Sequence, residues 1–224
     1  MNKQVERWMH RARKARGAWR LRTRRPRRTW IDVGAHEGET TIRFAAARPD
    51  LLVYAFEPNL AVASRIMGRL RNYVVIPMAV ALEDGSAELK LNAVDAASSL
   101  LEMDEKVAAK WIGGASDLSV VNRQVVPTMR LDTFMTRMGI DHVHFLKVDT
   151  QGADLDVVRS AGNRLVDIDR IQMEVTKGDQ LYQGAARTEE VLSFMAEHGF
   201  KLVEREDQTF GQEENLTFVR NQAG

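Results

Sequence analysis

From Trp30 onward, apolar runs of strand length alternate with stretches whose apolar positions recur at helical spacing. Strands are predicted near 29–33, 51–56, 73–80, 143–149, 168–175, 200–205 and 214–219. Helices are predicted near 38–48, 59–71, 131–138, 152–165 and 187–198. This alternation predicts an α/β domain, a doubly wound and mostly parallel sheet covered on both faces. Phe200 to Glu204 and Asn215 to Val219 flank Gly211 and read as a closing hairpin, which makes the C-terminal strand antiparallel. Two stretches break the alternation. Ala87 to Asn92 and Ser119 to Met129 carry β-type patterns and read as extra strands. Between them, Ala93 to Asp117 has no period, and such a segment inside an α/β domain is often a substrate loop or lid.

The N-terminal segment has a different pattern. Val5, Trp8, Ala12, Ala15 and Trp19 fall on one helical face with arginines around the rest, predicting a basic amphipathic helix over residues 1 to about 22. Thr23 to Thr29, with Pro26, reads as a short linker. The expected organisation is a basic arm over 1–28 and a folded domain over 29–224.

Charge sharpens this division. The net charge of +1 hides a strong asymmetry. Residues 1–30 hold 12 Lys or Arg and one acid, a balance of +11, and the remainder carries −10. The arm is expected to lie on anionic membrane surfaces, with the tryptophans at headgroup level. Packing against its own acidic domain and binding to RNA are the two competing readings.

The composition, 44% hydrophobic and 28% charged, is that of a globular protein. No run of about 18 apolar residues predicts a transmembrane helix. The absence of cysteine excludes disulfides, thiolate zinc sites and a cysteine nucleophile. The N-terminus lacks the apolar core of a secretory signal. The expected location is cytoplasmic, with the arm at the inner face of a membrane.

The chemistry is concentrated at predicted strand ends. Asp32-Val33-Gly34-Ala35-His36-Glu37-Gly38 joins a strand to a helix. A strand, a glycine turn and a helix form a phosphate- or nucleoside-binding unit, although glycines there also serve the turn alone. The pattern is D-x-G-x-x-x-G. Its acidic opening repels a pyrophosphate and attracts the sulfonium and amino groups of S-adenosylmethionine, which points to a methyltransferase. Glu57 ends the next strand, 23 residues after Gly34, where a carboxylate can accept hydrogen bonds from both ribose hydroxyls. Asp149 and Glu174 end two later strands, so four carboxylates should line one edge of the sheet. Asp149 has two readings, a catalytic base or the cap of the helix starting near Gly152.

These residues resemble the FkbM family of S-adenosylmethionine-dependent methyltransferases. The matching stretches are Ile31–Gly38, Ala55–Pro58, Leu131–Thr133 and Phe145–Asp154 with Val157–Gly162, spread over roughly residues 29–220. The resemblance implies a Rossmann-like class I methyltransferase sheet and O-methylation of a sugar or other small-molecule or glycan hydroxyl. It places Asp32, Gly34, Ala35, His36 and Gly38 around the methionine part of the cofactor. Glu57 would hold the ribose, with Pro58 and Asn59 beside the adenine. Ala79, Val80 and Ala81 would border the adenine, and Ser98 and Ser99 would reach in from the irregular segment. Asp149 is the candidate base, with Glu174 as the second acidic candidate. Gln151 stands where the family usually shows a glutamate. No metal site is assigned. His142 and His144 share a strand face and read as structural, and nothing in the spacing demands magnesium at Asp149 and Glu174. The alternative reading is an RNA methyltransferase or nucleic-acid-binding protein that uses the arm.

Overall fold

The computed structural model describes residues 28–111 and 118–221. The predicted arm helix and its linker up to residue 27 lie outside the described residues, as does 112–117 within the irregular segment.

The elements follow in the order β1 (Arg28–Val33), α1 (Ile42–Ala47), β2 (Leu51–Phe56), α2 (Leu60–Ile66), β3 (Tyr73–Ile76), β4 (Ala79–Val80) and β5 (Gly85–Asn92). Then come α3 (Glu105–Ala108), β6 (Val120–Met129), α4 (Leu131–Met138), β7 (Phe145–Val148), α5 (Asp154–Arg159), β8 (Arg170–Thr176), α6 (Thr188–Glu197), β9 (Phe200–Gln208) and β10 (Glu213–Arg220). Seven strands form one sheet in the order β3-β2-β1-β7-β8-β10-β9. Neighbours from β3 to β8 are parallel, and β10 runs antiparallel to both β8 and β9. The chain is an α/β domain with a mostly parallel sheet and an antiparallel C-terminal strand. The two stretches that broke the alternation are β5 and β6, and with β4 they make a separate three-stranded sheet.

Period-two patterning decides which side of each strand is buried. On one face Ile31, Val33, Phe56, Leu146, Val148, Ile171, Met173, Leu216 and Phe218 form the main core. They pack with Leu131, Phe134 and Met135 of α4, Leu155 and Val158 of α5, and Val191 and Met195 of α6. The opposite face is apolar on one side only, where Leu51, Val53, Ala55 and Tyr73 meet Ala45 of α1 and Ile66 of α2. Further across, that face shows Phe145, Lys147, Gln172, Glu174 and Asn215, and no helix among the described residues packs there. Among the described residues, helices cover both faces of one part of the sheet and one face of the rest.

Several predicted bounds shift for identifiable reasons. The strand read at 73–80 is two strands in different sheets, because Pro77 has no N–H to continue the ladder. The helix read at 59–71 ends at Ile66, followed by Gly68 at φ +74°. The helix read at 152–165 breaks after Arg159, and Gly162–Asp167 continues as a 3-10 turn. The helix read at 38–48 starts only at Ile42, because 38–41 are turn residues that shape the loop after β1.

Candidate active site

Parallel strands all point their carboxyl ends to one edge, so the loops after β1, β2, β7 and β8 meet there. Gly34 leaves β1 at φ +74°, and a Cβ on it would lie 1.7 Å from the carbonyl oxygen of Asp149. The loops after β1 and β7 therefore touch backbone to backbone. The amides of Gly34 and Ala35 both donate to the Phe56 carbonyl, at 3.0 and 2.9 Å. This ties the first loop to the end of β2.

Glu57 stands just beyond β2 and is 7% exposed. Its Oε2 accepts from the His36 amide at 2.9 Å, and its Oε1 from the Asn59 amide at 2.8 Å. Burial pushes the carboxyl upward, against the lowering effect of those two amides. The His36 ring lies between Glu39 at 2.7 Å and Asp95 at 3.0 Å. Burial favours the neutral ring, but hydrogen bonds to Asp95 and Glu39 outweigh it and raise its pKa.

Lys147 interrupts the apolar strand Phe145-Leu146-Lys147-Val148 and is 9% exposed. Its Nζ lies 3.1 Å from Asp149 Oδ2 and 3.6 Å from Asp32 Oδ1. Burial opposes its charge, yet Asp32 and Asp149 outweigh burial and raise its pKa. Asp32 is buried behind the loop. Its Oδ2 accepts from the Thr41 hydroxyl, and Oδ1 has no hydrogen-bond donor among the described residues. Lys147 supplies the charge that makes this buried carboxylate tolerable.

Gln151 links the remaining carboxylates. Its Nε2 donates to Asp149 Oδ1 and to Glu174 Oε2, both at 3.1 Å. Its Oε1 lies 2.9 Å from the buried Tyr182 hydroxyl. An amide has two donor hydrogens for two carboxylates, which a glutamate at 151 would lack. Asp154 organises the same loop, accepting from the Thr150 and Gly152 amides. The N-cap of α5 is Ala153, and Asp149 makes no cap bond to it.

Burial and the neighbouring charge of Asp149 push Glu174 up to about 9 and Asp154 up to about 7. Both pKa values are raised on folding, so across the interval the folded chain holds protons that the unfolded chain releases. Stability is therefore expected to fall as pH rises from about 5 toward 9. Thermal unfolding across that range checks this, and Glu174→Gln should flatten the part above neutrality. A Tm that climbs with pH would refute it.

The irregular segment is strapped over this edge. The Ser99 hydroxyl donates to the Gln151 carbonyl at 2.7 Å, and the Tyr182 hydroxyl lies 3.0 Å from the Ala97 carbonyl. Beneath it is a cavity of about 540 Å³, within the usual range for small-molecule sites. Gly34, Ala35, His36, Glu57, Pro58, Ala79, Val80, Ser98, Ser99, Asp149 and Glu174 line it. Asp32, Gly38, Asn59 and Ala81 do not. Asp32 reaches the cavity through Lys147. Gly38 packs beneath it against Tyr73 and Ile42, Asn59 caps α2, and the Ala81 amide bonds Met129. The lining also includes Lys147, Gln151, Trp111, Tyr182 and Glu213, to which the sequence reading assigned no role. A lysine inside an apolar strand was the one signal that pointed to Lys147.

A parallel sheet with an antiparallel last strand, and an acid-rimmed cavity at its carboxyl edge, define the nucleoside-binding class of methyltransferase folds. Solved structures agree on the fold. The chain superposes on the fibrillarin/Nop5p complex with a TM-score of 0.50 at 12% identity, covering 88% of this chain and 74% of that one. It superposes on TrmK of M. capricolum, in complex with S-adenosyl-homocysteine, with a TM-score of 0.50 at 9% identity, covering 87% and 63%. Residues 32–202 match the model of the Methyltransferase FkbM domain, and the chain belongs to that family. It is also similar to the 2-O-methyltransferase NoeI of Sinorhizobium fredii, 23% identical over 184 residues, which are 77% of this chain and 72% of that protein. The chain is a methyltransferase by family.

Proposed function

We propose that this protein transfers a methyl group from S-adenosylmethionine to a hydroxyl of an uncharged sugar or other small glycan. The observation that carries this reading is the wall of the cavity. Besides Glu174, which stays protonated, it bears Glu39, Glu57, Asp95, Asp149 and Glu213 against one lysine and one histidine. Such a surface favours a cationic donor and a neutral acceptor and repels phosphate. The similarity to a 2-O-methyltransferase supports a hydroxyl acceptor. The RNA reading rests on the basic arm, and the carboxylate wall weighs against it.

The residues present suit the donor. Gly34 keeps the floor free of side chain, and Glu57 keeps further lone pairs beside its two amide bonds. The bound donor supplies an electrophilic methyl on a positively charged sulfur. Asp149 takes the proton that the acceptor hydroxyl gives up, with Lys147 and Gln151 each holding one of its oxygens. Glu174 keeps its own proton through neutral pH and so acts as a hydrogen-bonding acid rather than a base. Trp111, Leu181 and Tyr182 offer apolar walls for a sugar ring. The methyltransferase unit is proposed to span 29–224, with 1–28 as an arm, although β1 takes in Arg28. No helix among the described residues is long and apolar enough to cross a membrane.

Labelled methyl transfer into separate pools of hexoses, nucleotide sugars, lipid-linked glycans and RNA tests the acceptor class. Label entering RNA alone would overturn the reading. Glu57→Ala is expected to weaken cofactor binding. Each lost charge-assisted ribose bond is worth roughly 1.5–3 kcal/mol, or about ten- to a hundredfold in Kd. Calorimetry that returns wild-type affinity for this variant would remove Glu57 from the ribose site.

A further inference from the structure

Two carboxyl groups beside one reacting hydroxyl meet a general difficulty. As like charges they repel, and they compete for a single proton. Here the side chain of Gln151 stands between Asp149 and Glu174. Its Nε2 lies 3.1 Å from Asp149 Oδ1 and 3.1 Å from Glu174 Oε2. The reversed amide would set Oε1 against the charge of Asp149. On the far side the Tyr182 hydroxyl lies 2.9 Å from Oε1. The Tyr182 side chain also packs on this turn, since a Cβ on Gly152 would lie 2.8 Å from the Tyr182 Cβ. The backbone is held as firmly. Gln151 has φ +57°, a left-handed conformation unfavourable for a residue with a side chain, and its carbonyl accepts from the Ser99 hydroxyl at 2.7 Å. Such strain persists where the surroundings over-determine it, and it clusters at active sites.

We propose that Gln151 is the positioning residue that divides these two carboxyl groups into one base and one acid, by turning an N–H to each and a lone pair to neither. The surrounding charges make a neutral donor the suitable one. The ammonium of Lys147, on β7, is taken up by Asp149 at 3.1 Å and by Asp32 of β1 at 3.6 Å. Glu174 of β8, Glu213 of β10 and Asp154 at the start of α5 face the same space, with the Tyr182 hydroxyl beside them. Burial, and then the neighbouring charges, push the carboxyl groups of Glu174, Glu213 and Asp154 upward. A further carboxylate in place of the amide would add to that repulsion and bring no donor.

The division matters for proton transfer. The amide holds Asp149 Oδ1 and Lys147 holds Oδ2, so the charged form is favoured on both sides. Glu174 meanwhile keeps its proton through neutral pH. Without the amide the two groups would titrate as a coupled pair, and neither would be the base alone. This role rests on the reading of Asp149 as the base.

Side-chain NMR of the full chain reads this division without any acceptor. Each Nε2 proton of Gln151 faces one carboxyl group. In the unaltered chain one is expected to shift as Glu174 loses its proton at about pH 9, and the other as Asp149 is protonated on acidification. Gln151→Met keeps the length of the side chain and removes both donors. In that variant the carboxyl-carbon signal of Asp149 is expected to titrate about one pH unit higher, because its charged form loses a hydrogen bond and faces Glu174 directly. Each carboxyl signal should also respond to the other's step. A residue that only braced the fold would lower Tm and leave both titrations where they were. That result overturns the proposal, as do Nε2 protons that follow neither carboxyl group. If Gln151→Met does not fold, the Nε2 protons of the unaltered chain decide alone. Full turnover in Asp149→Asn would overturn the base and this role with it. Unmoved titrations beside a slow Asp149→Asn overturn the role of Gln151 only.

Discussion

Asp149→Asn is expected to lower turnover by a factor on the order of 10²–10⁴ while leaving cofactor affinity near that of the wild type. The amide cannot take a proton from the acceptor, yet it keeps the size of the side chain. Lys147 at 3.1 Å and Gln151 at 3.1 Å hold the two carboxylate oxygens of Asp149 in place. The competing structural role would be a helix cap. In the structure no side chain caps α5, whose N-cap is Ala153, and Asp154 instead holds the loop before it by accepting from the Thr150 and Gly152 amides. Single-turnover kinetics and calorimetry on both Asp149→Asn and Asp154→Asn separate the two roles. Unchanged turnover in Asp149→Asn with a lowered Tm would make Asp149 a structural residue. Loss of cofactor affinity in the same variant would move it from the base to the binding site.

Gly34→Ala is expected to cost on the order of 4 kcal/mol of stability, among the larger effects for a single substitution. In a chain of this size that lowers Tm by roughly 10 °C. The added Cβ would lie 1.7 Å from the Asp149 carbonyl oxygen, a backbone atom with no room to rotate away. Either the β1 loop or the β7 loop must move, and cofactor binding is expected to fail with it. Gly68→Ala is the matched control. Gly68 has the same φ of +74° as Gly34, but nothing lies within 4 Å of a Cβ there. Its loss should be limited to the left-handed backbone term of about 1–2 kcal/mol. Similar losses at the two positions would show that backbone conformation, not the contact with Asp149, makes Gly34 necessary.

Much of this architecture is local and so was legible in the sequence. Leu51–Phe56 and Leu131–Met138 form with the bounds their patterns predict, because hydrophobic period and flanking turn residues act over a few positions. The strand ends were equally legible. Once β1, β2, β7 and β8 are parallel, direction alone brings Glu57, Asp149 and Glu174 to one edge. What lay beyond reach were contacts between positions far apart in the chain. Nothing near Gln151 announces that it bridges Asp149 and Glu174, or that Tyr182 and Ser99 lock it from 31 and 52 positions away. Nor does any local pattern reveal that Lys147 sits between Asp32 and Asp149, since the two carboxylates arrive from different strands. The sheet face on which no helix packs among the described residues follows the same rule. Alternation in β7 and β8 shows that one side is less apolar, but whether a helix covers that side depends on where the connecting segments pack. Period and turn chemistry thus determined the strands, the helices and the edge that carries the chemistry. Packing decided which charges are buried together, because burial and pairing belong to the assembled sheet and not to any one segment.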